Sequence, residues 1–187
     1  MKRRTLLQLT PWLALGTLSG ASAEAGPSYR ISADQLQQAL TERFPMRYEV
    51  RGLFDFLLQA PRLRLLPERN RISSEMAVRA EGPALRRSYA GEFAMDFALR
   101  YEPTDQTIRA HRLEVHSLRL PGLPPQAAAV VEGYGSALAA EALLEVVLHR
   151  LQPRDLALPD AMGLQPGDIT VTPQGLVIGF VNKKRTP

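Results

Sequence analysis

Glu141, Glu145 and His149 recur at four-residue spacing. On an α-helix, at about 100° per residue, that spacing stacks all three on one narrow arc. A carboxylate one turn before an imidazole could ligate a metal from a single helix face. The plainer reading, and the preferred one, is the polar edge of an otherwise apolar helix, so no metal is expected. His111 and His116 fall on opposite faces of a strand-like stretch and cannot share an ion. No Gly-x-Ser-x-Gly elbow, His-Glu-x-x-His helix, phosphate loop or dinucleotide glycine pattern occurs. Gly133-Tyr134-Gly135-Ser136 lies inside a helical run and follows no strand, so it reads as a kink or a close approach. Cysteine is absent, which excludes disulfides, thiolate metal sites, cysteine nucleophiles and thioether lipid anchors. These residues predict a non-enzyme with no catalytic residue and no cofactor.

The element that must carry the Glu–Glu–His arc is the run Pro124–Leu151. Ala and Leu dominate it, the pair Pro124-Pro125 suits a first helical turn, and Pro153 stops the far end. It predicts a helix of roughly 25 residues, about 40 Å long. Tyr134 and Leu138 extend the same arc, and the remaining surface is mostly apolar. Glu132, Glu141 and Glu145 make a membrane span too costly, so the rest of the chain must wrap it.

That wrapping comes from strands. Ser32-Ala33-Asp34-Gln35 is a capping box opening a short helix that Pro45 ends. From there to Gly122 the apolar residues alternate with period two. Met76 and Val78 share one face of one strand. Phe93, Met95, Phe97, Leu99 and Tyr101 share one face of the next, with Gly91 placed for a bend. The stretch from Ile108 to Leu120 changes phase twice, which predicts two bulges. Pro153 to Pro166 reads as irregular, and Ile169–Val171 and Leu176–Phe180 give two last strands about Pro173-Gln174-Gly175.

Residues 1–23 read as a cleavable export signal. Lys2-Arg3-Arg4 is the charged start, Leu6–Leu18 a short apolar run, and Ala21-Ser22-Ala23 the cleavage site. Arg3-Arg4-Thr5-Leu6-Leu7-Gln8 fits either a twin-arginine signal or an ordinary n-region with two arginines. Cleavage near Ala23 predicts a periplasmic protein without a lipid anchor, and residues 24–187 form one domain. Removing Lys2, Arg3 and Arg4 leaves 20 basic and 19 acidic residues. With no basic face and no exposed aromatic platform, no nucleic acid is expected as partner.

The order of segments resembles the YceB-like family of predicted bacterial lipoproteins. The matches are the export signal, Tyr29-Arg30-Ile31-Ser32 before a short helix, long alternating strands, a Pro-led helix, and Gln165-Pro166-Gly167-Asp168-Ile169. That family is of uncharacterised function and is similar in fold to the tubular lipid-binding (TULIP) superfamily. The resemblance spans roughly Tyr29 to Phe180 and carries no catalytic signature. The chain departs from it at Ala21, where the lipoproteins need Cys. It implies a TULIP-like α+β fold: a long, strongly curved antiparallel sheet around one long C-terminal helix, with a short N-terminal helix.

The function expected is binding of a lipid or other apolar small molecule in a groove between sheet and helix. Met76, Val78, Phe93, Met95, Phe97, Leu99, Val131, Tyr134 and Leu138 are the expected ligand-binding lining. Two neighbouring Met residues favour an adaptable surface. A filled core is the simpler reading of the same side chains, and it pairs with the alternative function, a non-enzymatic envelope scaffold or assembly factor. Either function involves transient contact with envelope membranes or proteins.

Overall fold

Period-two alternation commits most of the chain to strands, and the strands decide the architecture. The structure, a computed structural model, describes residues 26–50, 52, 54–83, 85, 87–129, 131, 133, 134, 137 and 146–183. Residues 1–23, read above as an export signal, lie outside these. The strands are β1 (Ser28–Ser32), β2 (Met46–Val50), β3 (Phe54–Leu58), β4 (Arg62–Leu66), β5 (Arg71–Glu81), β6 (Tyr89–Glu102), β7 (Thr107–Arg119), β8 (Val147–Arg150), β9 (Leu164–Thr172) and β10 (Gly175–Asn182). Helices α1 (Ala33–Thr41) and α2 (Pro153–Ala161) join them, with a 3-10 turn at Pro67–Arg69 and a further helical stretch among the described residues of 125–137.

Seven strands form a curled antiparallel half-barrel. The path is β2-β3-β5-β6-β7-β8, with β4 beside β3 on the same edge of β5. A second sheet has the order β1-β10-β9. Opposite β6, β7 carries an extra residue at His116 and another within Arg112–Leu113, where the register shifts. These are the two bulges that the phase changes predict. Arg112 takes a positive φ of 49° at one of them.

The expected α+β arrangement around one long C-terminal helix does not form. Strands hold 55% and helices 21% of the described residues, so the fold is mainly β, and no long C-terminal helix is evident among them. Residues 125–129, 131, 133, 134 and 137 are helical. By Val147, however, the chain is extended. Ile108 pairs with His149 and Thr107 with Arg150, and the flanking Ala110 N–H donates to the Val146 carbonyl at 3.1 Å. The physical reason is local and tertiary together. Val146 and Val147 are β-branched and stiff in a helix, and the free edge of β7 offers them a ladder. Leu148 and Leu151 then reach the core at 2% and 1% exposure. Leu138, Glu141 and Glu145 lie outside the described residues.

Pro153–Ala161, read from sequence as irregular, is α2. Pro153 sits in its first turn, where no N–H is needed, and the Asp155 carboxylate accepts from the Gln152 N–H at 2.8 Å. The capping box at α1 forms as predicted: Gln35 N–H donates to Ser32 Oγ at 3.2 Å and Ser32 N–H to Gln35 Oε1 at 2.9 Å.

Among the described residues, the buried apolar side chains gather in two clusters. One gathers Phe54, Phe56, Leu58, Met76, Val78 and Phe93 against Val131 inside the half-barrel. The other joins α1, α2 and the smaller sheet through Leu36, Leu40, Phe97, Ile108, Leu156, Val171 and Ile178.

Candidate functional site

Met76, Val78, Phe93, Met95 and Val131 meet in the half-barrel cluster, and none is more than 4% exposed. Tyr134 is half-buried against them, its ring edge-on to Phe54 at 6.4 Å. Phe97 and Leu99 belong instead to the second cluster. The alternation of β6 explains the split: one continuous apolar face runs past both clusters. Leu138 lies outside the described residues. Protein atoms therefore occupy the space around the buried members of this set.

His149 is not on a helix. It sits in β8, where its Nε2 lies 3.3 Å from the Tyr29 hydroxyl and the two rings are tilted at 5.9 Å. Burial holds the His149 imidazole below its ordinary pKa, and the Asp155 charge offsets only part of that. Burial and Asp155 both raise the Tyr29 phenol. The group ties β1, β8 and α2 together. Among the described residues, no cluster of three His, Asp or Glu side chains is placed to hold a metal.

Sequence reasoning missed the most polar buried group, Asp96. It belongs to the face of β6 opposite Met95 and Phe97, yet it is 1% exposed. His116 Nε2 approaches its Oδ2 to 2.9 Å and Arg69 Nη1 to 3.0 Å. Arg71 donates to the carbonyl oxygens of Asp96 and Arg112 at 3.1 and 2.7 Å, and pairs with Glu114 at 3.0 Å. Burial raises the Asp96 carboxyl, but the His116 and Ser73 contacts and the Arg69 charge outweigh it and hold it below the ordinary carboxylate range. The Ser73 hydroxyl meets the carboxylate rather than the imidazole, so the trio lacks the order of an acyl-transfer triad. Its cations are occupied by internal partners, which makes it a latch across β5, β6 and β7. The signal in the sequence was faint: only the register brings residues 69, 96 and 116 together.

Surface hollows lie elsewhere. One of about 530 Å³ opens between the end of β6, α2 and β9. Its apolar floor is Leu99, Leu156 and Ile169, and Arg100, Lys183, Asp160 and Asp168 stand around it. Burial, reinforced by the Asp160, Asp105 and Glu102 charges, raises the Tyr101 phenol in its wall, so that hydroxyl stays a donor. A second, of about 840 Å³, crosses β5, β6 and β7 beside Gln37 and Arg62. Met76 and Phe93 border it, but Glu75, Glu92, Arg119 and Ser117 also line it.

No protein-family model matches the chain, and no curated protein matches it either.

Proposed function

We propose that this protein is a non-catalytic interaction module of the bacterial envelope that works through its surface, around a protein-filled interior. The single observation behind this reading is the near-zero exposure of Met76, Val78, Phe93, Met95 and Phe97, side chains expected from the sequence to line a groove. A groove that held an acyl chain would leave such side chains facing open space in the protein alone. Each buried methylene of a ligand is worth about 0.8 kcal/mol, so a carrier needs a continuous apolar cleft. Here, native side chains make those contacts with one another. The envelope assignment rests on the export signal read in residues 1–23. The occupied cations around Asp96 and the displaced His149 give chemistry no evident foothold.

Organic-solvent extraction of the exported, purified protein tests this. Bare polypeptide with no stoichiometric lipid is the expected result. One lipid recovered per chain would replace the surface reading with an internal carrier.

A further inference from the structure

We propose that the outer edge of β2 pairs with the same edge of a second copy of this chain, antiparallel about Tyr48; this deepens the surface-acting reading by naming a partner, and rests on it. Other strand edges are sealed by side chains. Gln37 of α1 accepts from the Leu63 N–H at 3.0 Å and donates to the Pro61 carbonyl at 2.7 Å, which covers β4. Asn70 covers β9 in the same way, bonding the Val171 N–H and the Ile169 carbonyl. β2 ends the larger sheet with β3 as its one strand partner among the described residues, and neither of these seals reaches it. An open strand edge is a template for one further strand.

The charges of β2 select that strand. Arg47 and Glu49 are exposed on one face, and Tyr48 packs against the half-barrel cluster on the other. In an antiparallel pairing centred on Tyr48, Arg47 lies opposite the partner's Glu49, and Glu49 opposite the partner's Arg47. Centring on Arg47 would set two cations together, centring on Glu49 two carboxylates, and parallel pairing in register would do both. The order of signs thus admits one register, and a two-fold axis there closes the edge at two copies. The single chain also leaves a charge for its partner to meet. Glu49 stands opposite Asp55, and Asp55 opposite Glu81, so three carboxylates form one row across β2, β3 and β5. Arg47 pairs with Asp55 at 2.9 Å and with Glu81 at 3.2 Å, and among the described residues no cation pairs with Glu49. Both pairs are exposed and therefore weak, so the Arg47 guanidinium can turn to the partner's Glu49. Tyr48 would extend the inner face against the partner's Tyr48 as an aromatic cross-strand pair.

The test is sedimentation equilibrium of the exported, purified protein from about 1 to 200 µM, a range suited to a short and therefore weak interface. The mass should rise from one chain toward two and stop there. Glu49→Arg should weaken association about tenfold or more, because it sets like charges together on both sides of the axis. Arg47→Glu should do the same. The decisive sample is an equimolar mixture of these two variants. One chain then carries two carboxylates and the other two cations, so a mixed dimer should form where neither variant pairs alone. Circular dichroism checks that each variant is folded; where Arg47→Glu is not, Glu49→Arg alone decides. A single-chain mass throughout overturns the proposal, as does growth beyond two copies. A dimer that Glu49→Arg leaves intact overturns it too, and so does a mixture of folded variants no more associated than its components. These failures differ from lipid recovered by extraction, which would overturn the filled-interior reading instead.

Discussion

Asn70 completes the edge of β9: its Oδ1 accepts from the Val171 N–H at 2.7 Å. Its Nδ2 donates to the Ile169 carbonyl at 3.0 Å, so one side chain replaces a strand partner across the junction of the two sheets. Asn70 follows the Pro67–Arg69 turn at φ 51°, a left-handed conformation that Asn tolerates and most residues do not. Asn70→Ala should lose both bonds and take on backbone strain, at about 2–4 kcal/mol. Urea unfolding measures it. A loss below about 0.5 kcal/mol would show that the sheets are joined by apolar packing alone.

Asp96 links acid stability to the β5–β7 latch. Its folded pKa lies below the unfolded value of about 3.9, so its stabilisation is present above that pH and is lost as pH falls through the folded value. Asp96→Asn should cost about 1–3 kcal/mol at neutral pH, and the gap from the parent should shrink toward the folded pKa. Melting temperatures of the pair across pH 2 to 7 check it. A gap that stays constant with pH would remove the carboxylate's charge from the explanation.

His149 titrates with the opposite consequence. Burial depresses its folded pKa below the unfolded value of about 6.5, so the unfolded chain binds the proton more readily. Stability is therefore fully present above about pH 6.5 and declines as pH falls below it. His149→Gln should flatten that decline. Its pH profile between 5 and 7 is the readout, and an unchanged slope would assign the decline to another group.

Gly91 marks a close approach of strands. A Cβ built there would lie 1.8 Å from the Arg119 carbonyl oxygen and 2.8 Å from its carbon. Both are backbone atoms, so no rotamer relieves the clash. Gly91→Ala should cost about 3 kcal/mol or more by forcing β6 and β7 apart. A parent-like melting temperature would show that the two strands separate freely at this end.

Much of the sheet was legible because period two survives tertiary context when one face is buried. The alternation of β5 and β6 located Met76, Val78, Phe93 and Met95 on the inner face, and the phase slips of β7 marked both bulges. What failed was the long helix. Ala and Leu in its first part suited helix, and residues 125–129 are helical. Val146 to Leu148 were read on the same pattern, although a pairing edge on β7 sets their conformation and no local signal announces it. That error carried His149 to the wrong element. Conversely, Pro153 and Pro159 concealed α2, since Pro at a first turn begins a helix as readily as it ends one. Asp96 was legible only as one more polar residue, because its partners come from the 3-10 turn, β5 and β7.

The filled interior is tested most directly at Phe93, 0% exposed in the first half of β6. Equilibrium urea unfolding of Phe93→Ala, against the parent and at equal m-value, measures how much packing that ring provides. A side chain packed on all sides should cost about 3–5 kcal/mol on removal. A loss under about 1 kcal/mol, with an apolar dye binding both parent and variant, would mean that the ring borders open space and would contradict the filled interior.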